Sequence, residues 1–349
     1  MKKSLRGLCS LLVLAFALML FAPSLAYAAE GFNVITSPLP IKINTSPGKT
    51  IETELRIKNQ GTLAEGIKVG LMKFKGNSKT GKADLLDLSK QDQYASWVHF
   101  TPNQFLAQPG VWNTVKMRID VPETASLGYY LAVTFSPASV PGGRNVTTLK
   151  GSAATLVLLD VKGANEKRVI SIDDFTANHK VYEYLPATFD VKVKNSGNIY
   201  IAPAGNIFIT KGSKHVDTLD FNLIGGSVLP NSTRSFAVPW KNGFPSFHDR
   251  LVNGKPVADK KGFYVQDLKY NFGDANKFRF GKYTAKLLVA YDDGQRDVPL
   301  ESTVTFWVIP WKLMLGGLAI LTLVGFGLYS ALRGTFRSAK QKTAKRRNG

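Results

Sequence analysis

Residues 50–61 read TIETELRIKNQG and alternate between apolar and mostly charged side chains until the run ends at a glycine. Successive side chains on a β-strand point to opposite faces, so Leu55 and Ile57 share one face while the charged residues between them share the other. A strand of this kind has one face on a core and one in water, as antiparallel sandwiches require. The stretch therefore predicts a sandwich strand.

The same alternation continues along the chain. It recurs at residues 115–121, VKMRIDV, and short runs of it fill residues 30–310, separated by Gly, Pro, Asn and Asp. Residues 155–161, TLVLLDV, are more continuously apolar, which indicates a central strand. Because helical periodicity is nearly lacking here, the pattern predicts an all-β body.

The two halves of this region look like distant repeats of one unit. Residues 187–197, ATFDVKVKNSG, repeat both the alternation and the Asn-x-Gly ending of residues 50–61. Between the halves, the polar stretch 162–168, KGANEKR, interrupts the alternation. The sequence therefore predicts two tandem β-sandwich domains, at residues 29–163 and 164–310.

The first 28 residues have the layout of a secretory signal peptide. Three cations precede an apolar run at residues 8–21, and the small-residue pattern Ala-Tyr-Ala follows it. We expect cleavage between Ala28 and Ala29. An uncleaved membrane helix is the alternative, but the run is short for a span and is interrupted by Pro23.

The other end of the chain predicts a membrane anchor. Leu313 to Leu332 is a stretch of 20 residues without a charged side chain, which matches the length needed to cross a bilayer. Residues 333–349 hold seven cations and no acid, so this end is expected in the cytoplasm. The sequence therefore predicts a transmembrane helix at 311–333 and a basic cytoplasmic tail at 334–349.

Composition excludes several function classes. The net charge of +20 includes eleven Lys and Arg in the signal and after residue 311, and the rest of the chain carries only +9. Nucleic-acid binding is therefore not expected, although a mildly basic body suits an anionic polymer as well as simple solubility. The single cysteine, Cys9, lies in the signal, so disulfides and thiol chemistry are excluded from the mature chain.

Motifs of catalysis are lacking in the sequence. The four histidines have no metal-binding spacing, and neither a nucleophile elbow nor a phosphate loop is present. Asp292 and Asp293 are adjacent carboxylates, but neighbours on a strand point apart, and the following Gly294 favours a turn. We therefore expect a protein that is not an enzyme and uses no cofactor or metal.

Aromatic residues mark the candidate binding positions. Residues 241–282 interleave aromatic with basic side chains, and Phe263, Tyr264 and Tyr270 are candidates for a ligand surface there. The alternative is an extra hairpin with a turn at Asn253-Gly254, packed on the domain or resting near the membrane. In the first domain, alternation places Tyr130 on the outward face of its strand, as a further binding candidate.

Several segments together resemble the WxL-interacting cell-surface proteins of Gram-positive bacteria. The matching segments, from the N-terminus on, are PGKT at 47–50, ASWV at 95–98, VP at 121–122, GYYLAV at 128–133 and TFWVIPWK at 305–312. The resemblance covers nearly the whole region between the signal and the anchor. It implies an all-β chain of two tandem immunoglobulin-like β-sandwich domains plus a single C-terminal transmembrane helix.

From this resemblance and the predicted anchor, we expect a non-enzymatic cell-surface adhesion protein that engages peptidoglycan or another surface protein. The predicted topology is single-pass, with both domains outside the cell. An accessory subunit of a membrane complex is the alternative, with Gly327 and Ala331 in a helix interface. A looser likeness to periplasmic pilus chaperones, also tandem sandwiches, is disfavoured by the membrane anchor.

Overall fold

A computed structural model describes residues 32–77, 83–143, 151–259 and 264–347. The predicted signal peptide, its cleavage site at Ala28 and Ala29, and the candidate Phe263 lie outside these residues. Within them the chain consists of β-strands followed by one long C-terminal helix. This confirms the predicted all-β class with a single apolar helix at the end.

The first domain is a sandwich of two sheets, ordered β1-β3-β8-β6 and β2-β10-β9-β4-β5, with β7 also pairing with β4. Its strands are β1 (Val34–Ser37), β2 (Ile41–Thr45), β3 (Thr50–Asn59), β4 (Glu65–Gly76), β5 (Ala83–Leu86), β6 (Val98–Thr101), β7 (Gln104–Ala107), β8 (Trp112–Asp120), β9 (Leu127–Pro137) and β10 (Ala153–Val161). A short 3-10 turn, Gln93–Trp97, precedes β6.

The second domain has its main sheets in the orders β11-β13-β16 and β12-β22-β21-β14-β15, and two small hairpin pairs, β17-β20 and β18-β19. Its strands are β11 (Ile170–Ala177), β12 (Val181–Tyr182), β13 (Ala187–Asn195), β14 (Ala204–Lys211), β15 (Lys214–Phe221), β16 (Ser232–Trp240), β17 (Ser246–Asp249), β18 (Leu251–Val252), β19 (Lys255–Pro256), β20 (Gln266–Lys269), β21 (Gly281–Asp292) and β22 (Asp297–Val308). A 3-10 helix, Phe272–Lys277, lies between β20 and β21.

The alternation in β3 builds the core of the first domain. Leu55 and Ile57 are fully buried, and Leu55 pairs with the equally buried Val115 of β8. In the second domain, Phe189, Val191 and Val193 of β13 are buried in the same way. Burial of apolar area on one face of each strand is what holds the two sheets of each sandwich together.

Both domains share one topology, as the repeated pattern predicts. In the first domain, β1 pairs antiparallel with β3 while β2 crosses over to pair parallel with β10. In the second domain, β11 pairs antiparallel with β13 and β12 pairs parallel with β22. In each domain, the first two strands therefore lie in different sheets of the sandwich.

A buried asparagine closes the same turn in each domain. Asn59 donates from Nδ2 to the carbonyl oxygens of Leu63 at 2.7 Å and Ala107 at 3.0 Å. Its Oδ1 accepts from the N–H of Gly61 at 2.8 Å. The side chain therefore satisfies three backbone groups at the point where the chain leaves β3.

Asn195 repeats this arrangement at the end of β13. It donates to the carbonyl oxygens of Ile199 at 2.8 Å and Val228 at 2.9 Å, and accepts from Gly197 N–H at 2.8 Å. Both asparagines are completely buried. The Asn-x-Gly ending of the repeated sequence therefore marks a turn that the asparagine side chain holds by hydrogen bonds.

A tyrosine fixes the start of the equivalent strand in each domain. The Tyr129 hydroxyl accepts from the N–H of Ser126 at 3.2 Å, and the Tyr283 hydroxyl accepts from that of Phe280 at 3.2 Å. In both cases the partner lies three residues earlier, which resembles the tyrosine corner of immunoglobulin-like sandwiches.

The segment at 241–282 contains the hairpin that the sequence suggests. Asn253 and Gly254 connect β18 to β19 with φ values of 52° and 75°. Two positive φ values in a two-residue loop are the geometry of a type I′ turn, which Asn-Gly favours. The strands that flank this hairpin in the sequence, β17 and β20, pair with each other in antiparallel orientation.

Helix α1 runs from Trp311 to Arg347, beyond the predicted span. Residues Trp311–Ser330 form a stretch long and apolar enough to cross a membrane, and none of it is buried against the domains. The predicted tail at 334–349 continues this helix as far as Arg347. Its Lys, Arg, Ala and Gln residues are good helix formers, so nothing in the sequence ends the helix at the membrane boundary.

We expect Asn195→Ala to lower the free energy of unfolding by about 2–4 kcal/mol, because buried backbone groups of Ile199, Val228 and Gly197 lose their partners. Urea denaturation of the detergent-solubilised protein, followed by near-UV circular dichroism, measures the loss. Asn113→Ala, which removes one exposed hydrogen bond, is the control and should change stability by less than about 0.5 kcal/mol. Equal losses in the two variants would contradict the role given to Asn195.

Candidate functional site

The two domains meet through a small apolar cluster. Phe74, Ala132 and Leu158 of the first domain pack with Leu229 of the second. The ring of Tyr130 lies edge-on to Phe74, with centroids 6.1 Å apart. On its other side it lies edge-on to Tyr200 of the second domain at 6.5 Å. Part of the outward face of β9 and β10 is therefore covered by the second domain.

Beside this contact lies a cleft of about 620 Å³, which we call the interdomain cleft. Its apolar walls come from both domains: Leu39, Phe74, Leu156 and Leu158 from the first, Ile224 and Leu229 from the second. The volume falls within the ~300–1,000 Å³ of typical ligand pockets. Since its walls belong to different domains, the cleft exists only when the domains are joined as they are here.

A rigid loop forms one rim of the cleft. Asn222 donates from Nδ2 to the carbonyl oxygens of Pro203 at 2.6 Å and Gly226 at 2.8 Å, and accepts from Gly226 N–H at 2.7 Å. The loop so held presents Leu223 and Ile224 to solvent, 81% and 90% exposed. Large aliphatic side chains fixed in water next to an apolar cleft are typical of a binding surface.

Two cations flank the cleft. Lys42 donates from Nζ to Gly225 O at 2.8 Å, and Arg234 donates from Nη1 to Ser227 O at 2.8 Å. Burial lowers the pKa of Lys42, as does the nearby charge of Arg234, and burial lowers the pKa of Arg234. In the part of the chain that the structure describes, no carboxylate forms an ion pair with either residue. An acidic group of a ligand would relieve this unfavourable burial of charge.

Edge strands border the cleft on both sides. Residues 232–234, at the start of β16, line it, and so does Ala83 of β5. Both β5 and β16 lie at the edge of their sheets. An edge strand has backbone N–H and C=O groups on its outer side that can pair with an added strand. The cleft therefore combines apolar walls, positive charge and two strand edges that pair with no further strand among the described residues.

A charged cluster lies at the linker between the domains. Arg168 contacts Glu166 at 3.2 Å and approaches Asp160 and Asp292 at 3.9 Å each. Burial raises the pKa of the Asp160 carboxyl, as does nearby Glu166, and Arg168 opposes the rise. Across the described ranges, no three His, Cys, Asp or Glu side chains are grouped to hold a metal ion. Arg168 of the linker is therefore attracted to a carboxylate of each domain.

The structure does not bring the predicted binding residues together. Tyr130 is enclosed between the domains, whereas Tyr264 and Tyr270 are exposed at the opposite end of the second domain. Phe263 lies outside the described residues. Tyr130 was expected to face outward, and it does leave the core of its own sandwich, but Tyr200 covers it.

Sequence reasoning missed the residues of the cleft, namely Lys42, Ile224, Leu229 and Arg234. They belong to different strands and loops whose proximity depends on the contact between domains. One local signal was available: Leu-Ile-Gly-Gly at 223–226 places two aliphatic residues directly before a turn. Aliphatic residues in a turn have no core to enter, so they indicate a surface contact.

No protein-family model and no curated protein matches the chain. Among solved structures, the class 5 fimbrial chaperone CfaA is 12% identical with a TM-score of 0.35, over 77% of this chain and 99% of that chain. The E. coli chaperone DraB is 11% identical with a TM-score of 0.34, over 78% and 99%. A chain of the CsuC-CsuE chaperone and tip-subunit complex of Acinetobacter baumannii is 14% identical with a TM-score of 0.32, over 58% and 89%. Identities and TM-scores this low transfer no function to this chain.

These comparisons correct the resemblance to WxL-interacting proteins, which was wrong. The similar solved structures are fimbrial chaperones, the likeness set aside because of the anchor. The segments behind the mistaken resemblance are turns and alternating strands, which any tandem sandwich of this topology contains. The expected adhesion to peptidoglycan or a surface protein is wrong on the same finding, since the similar structures include chaperones in complex with pilus tip subunits. The comparisons give no support to the alternative role as a membrane-complex subunit.

The raised pKa of Asp160 predicts how the stability of the protein changes with pH. Because its folded-state pKa is raised above the unfolded value of about 3.9, the folded protein binds the proton more tightly, and stability from this group rises as the pH falls through the folded-state pKa. We expect Asp160→Asn to be more stable than the unmodified protein at pH 7. That advantage should shrink steadily as the pH is lowered to about 4. Urea denaturation at a series of pH values measures the difference.

Asp92 supplies a control of opposite sign. Hydrogen bonds from Lys73 and Ser89 hold the pKa of its carboxyl below the usual range. Asp92→Asn should therefore be less stable than the unmodified protein at pH 7, and the deficit should vanish as the pH falls through the folded-state pKa. Parallel pH profiles for the two variants would show that Asp160 does not have a raised pKa.

Proposed function

We propose that this protein is a membrane-anchored, non-enzymatic polypeptide-binding protein that holds an extended segment of another exported protein in its interdomain cleft. The role is of the chaperone type, in which a segment of the client is shielded until the client is used elsewhere. The observation that carries the proposal is the combination in one cleft of apolar walls, two cations without acidic partners and open strand edges.

An extended segment fits the chemistry of the cleft. Pairing with β16 would satisfy the backbone groups of the segment, as in recognition by strand addition. Alternate side chains of the segment would then point towards Phe74, Leu158 and Leu229. Affinity would come mainly from backbone hydrogen bonds and apolar burial, so the cleft suits segments with alternating aliphatic residues.

The cations add a preference for an acidic group. Lys42 and Arg234 each donate to a backbone carbonyl of the rim loop, at Gly225 and Ser227. Each keeps further donors that a carboxylate can accept. We therefore propose that the bound segment contains an acidic residue, or ends in a carboxylate, next to its apolar residues.

The lining of the cleft supports a binding role without catalysis. The described residues that line it are aliphatic, aromatic or small and polar, together with Arg234 and Asn77. Among them there is no His, Cys, Asp or Glu, so the hydroxyls of Ser227, Ser232 and Thr233 have no general base in the lining to activate them. The cleft therefore offers a bound polypeptide a surface without an activated nucleophile.

The helix supports anchoring in the cell membrane. Its apolar part, Trp311–Ser330, is exposed along its whole length, and seven cations follow it in the sequence. Short basic flanks stay on the cytoplasmic side, so both domains would lie outside the cytoplasm. The proposed topology is single-pass, with the cleft on the exported side.

Photo-crosslinking in living cells tests the proposal. A photoreactive amino acid at Ile224, on the rim, should form adducts with other exported polypeptides upon irradiation. The same amino acid at Leu63 is the control. Leu63 is also exposed, but it precedes the start of β4, and only the opposite end of β4 reaches the cleft. Adducts at both positions in equal amount, or at neither, would reject the cleft as the binding site.

Charge removal tests the predicted acidic preference. We expect Lys42→Gln combined with Arg234→Gln to weaken binding of an acidic, apolar peptide about tenfold or more, because charged hydrogen bonds contribute about 1.5–3 kcal/mol each. Fluorescence anisotropy with a labelled peptide taken from a cross-linked client measures the affinity. Lys116→Gln, on an exposed position of β8, is the control. Unchanged affinity in the double variant would contradict the role of the two cations.

A further inference from the structure

Aromatic side chains cluster where the second domain joins the helix. Phe272 is 77% exposed, and Phe278, Phe280, Trp307 and Trp311 are each more than two-fifths exposed. An exposed group of this size is uncommon on a domain surrounded by water. We call it the aromatic foot.

Strand register places part of the foot directly beside the helix. Lys282 of β21 pairs with Trp307 of β22, and the next pair towards the helix is Gly281 with Val308. Phe280 therefore lies next to the last residues of β22. Only Ile309 and Pro310 separate β22 from α1.

The junction is held by hydrogen bonds. The N–H of Ile309 donates to Tyr182 O at 2.7 Å, and that of Trp311 donates to Ile309 O at 2.8 Å. Lys312, in the first turn of the helix, pairs with Glu183 at 2.9 Å. No flexible linker separates the domain from the helix, so the membrane surface must lie at the level of this junction.

The inserted segment is packed onto the same junction. The ring of Tyr184, the neighbour of Glu183, lies edge-on to Phe247 of the inserted segment, with centroids 6.0 Å apart. The ring of Phe244 contacts Tyr270 at 6.4 Å and Phe272 at 5.6 Å between centroids. The exposed Phe272 thus belongs to a packed group of rings that begins beside the first turn of α1.

Positive charge surrounds the foot. Lys211, Lys214, Lys241 and Lys282 are exposed at this end of the domain, and the structure shows no ion pair for them among the residues it describes. The acids here are already engaged, since Asp274 pairs with Lys277 and Asp267 with Arg250. Basic residues around exposed aromatic rings are typical of proteins that rest on anionic lipid.

We infer that the aromatic foot is a lipid-binding surface that lies in the interfacial layer of the membrane. Phe272, Phe278, Phe280 and Trp307 would enter the headgroup region, where aromatic rings are favoured, and the lysines would contact lipid phosphates. This inference rests on the proposed membrane anchor. It goes beyond that anchor, because the helix fixes only where the chain enters the bilayer, whereas the foot would fix which face of the second domain lies on the lipid.

Spin labelling of the full chain tests the inference. Single cysteines replace Phe272, Phe280 or, as the control near the cleft, Ile224, in a Cys9→Ala background. The labelled proteins are reconstituted in vesicles of phosphatidylcholine and phosphatidylglycerol. We expect labels at 272 and 280 to collide several-fold less often with a water-soluble nickel complex than the label at 224, and more often with oxygen.

Carbonate extraction of the same vesicles separates the two proposals. Release of the protein from the vesicles would reject the anchor itself. Retention, with labels at 272 and 280 as accessible to nickel as the label at 224, would reject the lipid-binding foot and leave the anchor standing. Retention with both labels protected supports the inference.

Discussion

The buried side chain of Asn195 is the constraint on which the candidate site depends. By donating to the carbonyl oxygen of Val228, it fixes the backbone next to Leu229, the residue through which the second domain packs on the first. The equivalent Asn59 makes the same bonds but holds Ala107 at the far end of the first domain. The same hydrogen-bonded asparagine turn thus occurs in both domains. In the second domain it also positions the contact between the domains. Burial without a partner would cost each of these polar groups free energy, which is why the turn is so well defined.

Much of the fold could be predicted because it is local. Alternation in residues 50–61 predicts β3, and Asn253-Gly254 predicts a hairpin turn, since both depend only on neighbours in sequence. The site could not be predicted, because Phe74 and Leu229 are brought together only by the packing of the domains. Alternation shows that Tyr130 leaves its own core, but it does not show what then covers the ring. The same limit explains the mistaken family resemblance, which relied on strands and turns rather than on a site.

The interdomain contact is small, and charge supplements it. The apolar cluster around Leu229 holds the domains on one side of the cleft, while Arg168 joins the linker to Asp160 of the first domain and approaches Asp292 of the second. Interfaces of modest size between domains permit relative motion. A segment bound in the cleft would touch both domains, so its binding would oppose such motion. Binding of a segment in the cleft and the ion pairs of the linker would therefore both restrict the angle between the domains.

The position of the cleft relative to the membrane restricts what can enter it. Strand β16 starts at the cleft with Ser232 and ends with Trp240, whose partner Ala187 lies at the end of the domain that carries α1. The nine residues of β16 span eight intervals of about 3.3 Å, so the cleft lies roughly 26 Å from the end of the domain that carries the helix. A domain resting on lipid through Phe272 and Phe280 would hold the cleft at that height. Segments still embedded in the bilayer could not reach it, so the proposed clients are polypeptides that have already left the membrane.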